Sequence, residues 1–170
     1  VEQMPEILRR YPETLLVFAG AATDREYAEA LKQRAAQSGL AEHILFAGGL
    51  PPRDPRLIGL LQTAELVIVP ALSETFGLVL REAWAAGTAV IASNTSGARQ
   101  LIKPDENGWL FELSSPETFH QALSAALSDE DAVARTAEAG RRLVKAEYDN
   151  LAVTARVRGL YAELMEKKRK

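Results

Sequence analysis

Five short apolar runs, each divided from the next by a segment of helical or turn character, constrain this chain more than any other feature. "TLLVFAG" (14–20), "HILFAG" (43–48), "ELVIVP" (65–70), "TAVIAS" (88–93) and "GWLFEL" (108–113) have the length and β-branched content of strands. They are apolar on both faces, which predicts strands covered on both sides. Between them lie a helix over 23–39, a short helix over 55–64 with Pro at its first turn, a helix over 77–87, and one or two helical turns over 97–102. Thr23 and Glu26 have capping-box spacing, and Gly39 stands where a C-terminal cap belongs. Strands alternating with single helices predict an α/β fold: a doubly wound parallel sheet of about five strands, Rossmann-like, in one domain over 1–170.

Past residue 113 the chain turns helical. Ser115 caps and Pro116 opens one helix, a second follows over 129–149, and a third begins at Asn150 with Val153, Val157, Leu160, Tyr161 and Leu164 along one stripe. The opening "VEQMPEILRRYPE" reads as a helix already under way, with Met4, Ile7 and Leu8 on one side and Pro12 as its breaker. It lacks an initiator Met, so an excised domain with more protein upstream is expected.

Composition narrows the chemistry. Net charge is −3 and the sequence pI about 5.5, which argues against nucleic acid as a partner. There is no cysteine, hence no disulfide, thiolate metal site or cysteine nucleophile, and a reducing compartment fits. No apolar run approaches the ~20 residues of a membrane span, and no signal peptide opens the chain. The expected location is the cytoplasm, with peripheral contact at the inner membrane face left open by the terminal "EKKRK", which reads first as a solvated tail. His43 and His120 lack partners at metal spacing, and the acids of "DED" (129–131) read as a helix cap. Trp84 and Trp109 read as core, Trp84 reaching a pocket rim only if its helix is rotated. There is no Gly-x-Gly-x-x-Gly, Walker A or Gly-x-Ser-x-Gly motif, which disfavours oxidoreductase, P-loop and hydrolase readings.

In doubly wound sheets ligands bind beyond the carboxyl ends of strands, so the segment from Pro70 onward is the place to look. There "SETFGLVLREAWAAGTAVIAS" (73–93) puts Glu74 before, and Glu82 within, a helix started by Gly77. The amides of Thr75, Phe76, Gly77 and Leu78 have no intrahelical partners and lie at the positive end of the helix dipole, an anion site open to a phosphate because Gly77 has no side chain. Glu82 lies five residues on, about 7.5 Å along the axis at ~1.5 Å per residue, and leans back toward the helix start. A carboxylate there suits two vicinal ribose hydroxyls, and Glu74 suits the hydroxyls of whatever the phosphate carries. Each acid taken separately also fits a structural role, Glu74 favouring the dipole and Glu82 lying in solvent.

The whole string, with "SGARQLI" and "NGWLF" after it, closely resembles the nucleotide-binding half of retaining, two-Rossmann-domain (GT-B type) glycosyltransferases of family 4. Their frame E-x-F-G-L…E-A-x-A-x-G-x-P-V-I is matched by Glu74, Phe76, Gly77, Leu78, Glu82, Ala83, Ala85, Gly87, Val90 and Ile91, with Ala89 in place of Pro. The resemblance runs from about residue 1 to 165. It implies that Glu74 contacts the donor sugar on the reacting side, that Glu82 clamps the ribose, and that the amides of Phe76, Gly77 and Leu78 cradle the diphosphate. Ser73 and Thr75 would shape the loop, while Leu50 and Arg53 of "GGLPPRD" would lie near the base. The implied partners are a UDP-, GDP- or ADP-sugar and an N-terminal acceptor domain of the same enzyme, with no metal and no other cofactor.

Departures accompany the match. The family's cationic "G-R-x…K-G" segment and its acceptor domain with a basic His are absent from 1–170, so the isolated chain is expected to be inactive. Gln100 stands where Glu is frequent, and "EYDN" (147–150) where Trp is common. Rival readings are a nucleotide-sugar epimerase or glycogen-synthase-like enzyme on the same fold, or a non-catalytic binding module.

Overall fold

The computed structural model describes residues 1–51 and 53–169; Pro52, in the "GGLPPRD" loop, and Lys170, in the terminal basic tail, lie outside the described residues. The chain divides into two compact units, Val1–Gly59 and Leu60–Lys170. Among the described residues every strand pairing is parallel and helices supply the crossovers, so the fold is α/β as predicted, with the five strands paired as one two-stranded and one three-stranded sheet where a single sheet was expected.

In the first unit, helix α1 (Met4–Arg10) buries Met4 and Ile7 and ends before Pro12. Strand β1 (Leu16–Ala19) runs parallel to β2 (Ile44–Gly48), pairing Val17 with Leu45 and stacking Phe18 on Phe46 at 5.0 Å. Helix α2 (Arg25–Gln37) joins them. Its cap is Asp24, not Thr23: the Asp24 carboxylate accepts from the Tyr27 amide at 2.9 Å. Asp24 lies one residue nearer the helix, and a carboxylate at that position also meets the dipole. The helix closes as expected at Gly39, where the Leu40 amide bonds the Ala35 carbonyl and the Gly39 amide that of Ala36. His43 is structural, its Nδ1 lying 3.0 Å from the Thr14 carbonyl.

Helix α3 (Pro55–Thr63) leads to the second unit, where β3 (Leu66–Val69), β4 (Ala89–Ser93) and β5 (Trp109–Phe111) form a sheet in the order β3-β4-β5. β4 lies in the middle and every one of its residues is buried, the burial predicted from its continuous apolar run. Helix α4 (Leu78–Ala86) crosses from β3 to β4, and α5 (Ser96–Leu101) lies between β4 and β5. Leu80, Ala83, Trp84, Val90, Ala92, Ala98 and Ile102 make one core. Trp84 belongs to it and not to any rim; its Nε1 donates to the Asn107 carbonyl at 2.9 Å. Asn107, itself buried, donates through Nδ2 to the Leu101 carbonyl and accepts from the Lys103 amide, so the turn after α5 is held from inside the core.

Helices α6 (Pro116–Leu127), α7 (Glu130–Glu147) and α8 (Asn150–Arg169) follow. Ser115 and Asp129 cap the first two, accepting from the Thr118 and Asp131 amides. Helix α7 packs on α4 at Gly140, where even a Cβ would stand 2.2 Å from Cδ1 of Trp84. The stripe predicted on α8 is present, but Val153, Val157, Leu160, Tyr161 and Leu164 are all exposed.

Candidate functional site

The loop between β3 and α4 is anchored from below. Ser93, the last residue of β4, donates its hydroxyl to the carbonyls of Val69 and Ala71 at 3.3 and 2.5 Å, which fixes the path of the chain as it leaves β3. Three residues on, the Glu74 carbonyl accepts from the Gly97 amide at 3.0 Å. Gly97 is required there, since a Cβ would fall 2.1 Å from the Glu74 oxygen. A loop tied at both places presents its next residues in a set position.

Gly77 precedes α4 with φ 69 and ψ 46, the left-handed region that a side chain disfavours. A Cβ would also meet Leu101 Cδ1 at 2.5 Å. Its carbonyl accepts the first bond of the helix, from the Arg81 amide at 3.1 Å. Within α4, Leu80, Arg81, Ala83 and Trp84 face the core while Leu78, Glu82 and Ala85 form an exposed stripe four and three residues apart.

The amides at this helix start are not vacant. Glu74 Oε1 accepts from the Phe76 amide at 3.0 Å and from the Gly77 amide at 2.7 Å. The expectation of unpartnered amides over 75–78 is corrected accordingly: an ionised carboxylate three residues before Gly77 is the nearest anion, and it takes the donors that a helix start offers. These bonds, the Gly77 one foremost and with those to Phe76 and Thr75 outweighing the opposing effect of partial burial, hold the Glu74 carboxyl below the ordinary glutamate value, with Arg81 adding positive charge nearby. The two bonds also define an anion seat, since two amides converge on a single oxygen.

Among the predicted residues, Glu74, Phe76 and Gly77 are brought into direct contact, and Thr75 adjoins them. Ser73, Thr75 and Leu78 are exposed, as is Glu82, whose side chain points to the solvent side of α4. Phe76, whose amide forms half of the seat, has a side chain that is 54% exposed. Leu50 and Arg53 lie in the first unit on the loop after β2, Leu50 partly buried and Arg53 exposed with φ 66. A cleft of about 370 Å³ in that unit, walled by Phe18, Gly20, Arg25, Lys32 and Phe46, contains none of the predicted residues. Lys32 there bonds Glu29 at 2.7 Å. Asp129 of the "DED" acids caps α7 and pairs with Arg135 at 3.1 Å. Among the described residues no group of three His, Asp or Glu side chains is arranged to hold a metal ion.

Sequence reasoning missed two residues at the seat. Arg81 lies in an apolar stretch, and its place four residues after Gly77 puts it behind the seat, a signal the sequence did carry. Tyr148, which packs against the same guanidinium, is too distant in sequence to be found that way.

The family model for "Glycosyl transferases group 1" matches residues 1–143. A D-inositol 3-phosphate glycosyltransferase of Nocardia farcinica is 35% identical over 140 residues, 79% of this chain and 30% of that protein. The one from Xylanimonas cellulosilytica is 31% identical over 168 residues, 99% of this chain and 38% of that protein. The chain thus spans about a third of the length of the curated relatives it matches. Among solved structures, the C-terminal domain of a group 1 glycosyl transferase from Francisella tularensis superposes with TM-score 0.74 at 30% identity, covering 84% of this chain and 74% of that one. An Anabaena protein in complex with UDP-glucose shares the fold, with TM-score 0.78 at 21% identity over 89% of this chain and 42% of that one.

Proposed function

The chain belongs to the group 1 glycosyl transferases, and from that premise we propose that it is the donor-binding half of a retaining, family 4, GT-B type hexosyltransferase. The observation that carries this reading is the pair of amides, Phe76 and Gly77, converging on one anionic oxygen at the start of α4. A nucleoside diphosphate offers oxygens of the same charge and hydrogen-bonding capacity as the Glu74 carboxylate.

In this reading the donor's diphosphate displaces the Glu74 side chain from the seat. The Glu74 backbone remains tied to Gly97, so only side-chain torsions need change. The released carboxylate accepts from hydroxyls of the donor sugar, and Glu82, exposed on α4, accepts from the ribose hydroxyls. When the glycosyl carbon–oxygen bond breaks, its electron pair goes to the diphosphate, and charge grows where the amides already point. By analogy with other oxyanion donors each amide contributes roughly 3 kcal/mol at that stage. Peptide amides do this without a metal, so donor binding is proposed to be metal-independent, with the acceptor held by the remainder of a longer protein. Among the described residues no helix is long and apolar enough to cross a membrane. We place the enzyme in the cytoplasm.

Titration calorimetry with UDP, GDP and ADP on this chain and on Glu82→Ala tests the assignment. Loss of a carboxylate bonded to ribose hydroxyls weakens binding of the preferred nucleotide by about 1.5–3 kcal/mol. Equal affinities would remove Glu82 from the site, and failure of the full-length protein to bind any nucleoside diphosphate would remove the donor reading itself.

A further inference from the structure

Arg81 is the one core-facing charge on the site helix. It is only 9% exposed, and neither its Nε nor its Nη1 has a hydrogen-bond partner among the described residues. The guanidinium lies between two aromatic rings, its Cζ 3.8 Å from the Phe76 centroid and 4.0 Å from that of Tyr148. The rings stand edge to face, 86° apart in plane with centroids 6.4 Å apart. Nη1 comes within 3.7 Å of the point where a Gly77 side chain would begin, so the charge sits directly behind the amide that closes the anion seat.

A cation buried without full hydrogen bonding is costly, and stacking on two rings offsets only part of that cost. An apolar side chain would suit the surrounding Leu80 and Leu101 better. The arrangement makes sense if the charge acts forward, through the thin wall of Gly77 and Phe76, on whatever anion occupies the seat. Because the guanidinium is buried, such an interaction is screened less than one between two exposed charges. The present occupant, Glu74, already feels it.

We propose that Arg81 is an electrostatic positioning residue for the donor's diphosphate: held by Phe76 and Tyr148, it binds no ligand atom, yet charges the peptide seat from behind. This rests on the donor-binding reading above. It adds positive charge behind loop 73–78 from within its own domain, through a residue that lies between the two glutamates but is neither of them. Tyr148 gains a role as well, since it forms the second wall of the stack from the end of α7.

The test is a charge ladder. Affinities of the full-length wild-type protein and of its Arg81→Met and Arg81→Lys variants are measured by calorimetry for the nucleoside, monophosphate and diphosphate of uridine, guanosine and adenosine, with melting curves as the control for folding. For the base that binds best, Arg81→Met is expected to weaken the diphosphate about tenfold, the monophosphate about threefold, and the nucleoside hardly at all. Arg81→Lys keeps the charge while giving up the planar stack, and is expected to stay within about threefold of wild type for the diphosphate. Equal losses along the ladder, or a Lys variant as weak as Met, would mean that Arg81 only packs, and would overturn the proposal while leaving the donor site standing. A full-length wild-type protein that binds no member of any ladder overturns both.

Discussion

Helices α4 and α8 both carry apolar side chains at helical spacing, yet they meet opposite fates. In α4 the stripe of Leu80, Ala83 and Trp84 is wholly buried against the sheet and α7. In α8 the leucines at 151, 160 and 164 are 82%, 60% and 61% exposed. Periodicity tells which face of a helix is apolar; it does not tell whether the chain supplies a surface to cover that face. The covered helix also carries the chemistry, because a seat made of two amides needs a helix that cannot shift.

The comparison can be broken most forcefully at Trp84. Replacing it by Ala leaves a cavity in the core and orphans the Asn107 carbonyl, with an expected loss of about 3–5 kcal/mol in chemical denaturation of the second unit. A loss below ~1 kcal/mol would mean that α4 is no better anchored than α8.

A smaller effect sharpens the contrast at the start of α4. Glu74→Gln removes a charged cap and is expected to cost about 1 kcal/mol at neutral pH, in line with other N-terminal caps. The sign with pH follows from its lowered pKa. The charged form is favoured by folding, so its contribution is present above the ordinary glutamate value and fades as pH falls through the lower value of the folded protein. Unfolding curves of wild type and variant should therefore converge on acidification, and a gap that stays constant would show that charge is not what the amides hold.

The smallest effect lies on α8. Leu160→Ser and Leu164→Ser are expected to change stability by less than ~0.5 kcal/mol each. A loss of several kcal/mol in either would mean that this face is covered in solution, and the contrast between the helices would vanish.

The elements were legible because their signals are local. A run such as "ELVIVP" predicts a strand that forms over Leu66–Val69, and "GLVLREAWAAG" a helix that forms over Leu78–Ala86, whatever lies beside them. The capping of α2 was displaced by one residue because two side chains there, Thr23 and Asp24, could each do the work. The capture of the Phe76 and Gly77 amides by Glu74 follows the same short-range rule as Asp24 with Tyr27, and could have been read from the spacing. The stack of Arg81 on Tyr148 could not, since it depends on where α7 ends in space. Nor could the bare face of α8, for no local pattern records a missing partner.

The notch at Gly140 has a consequence for how this protein can change. Because the indole of α4 fills the space that a methyl group would need on α7, neither position can vary freely while the other stays. Among descendants of this chain the two should be inherited as a pair, and a redesign that retargets the loop at 73–78 must carry that distant glycine along with it.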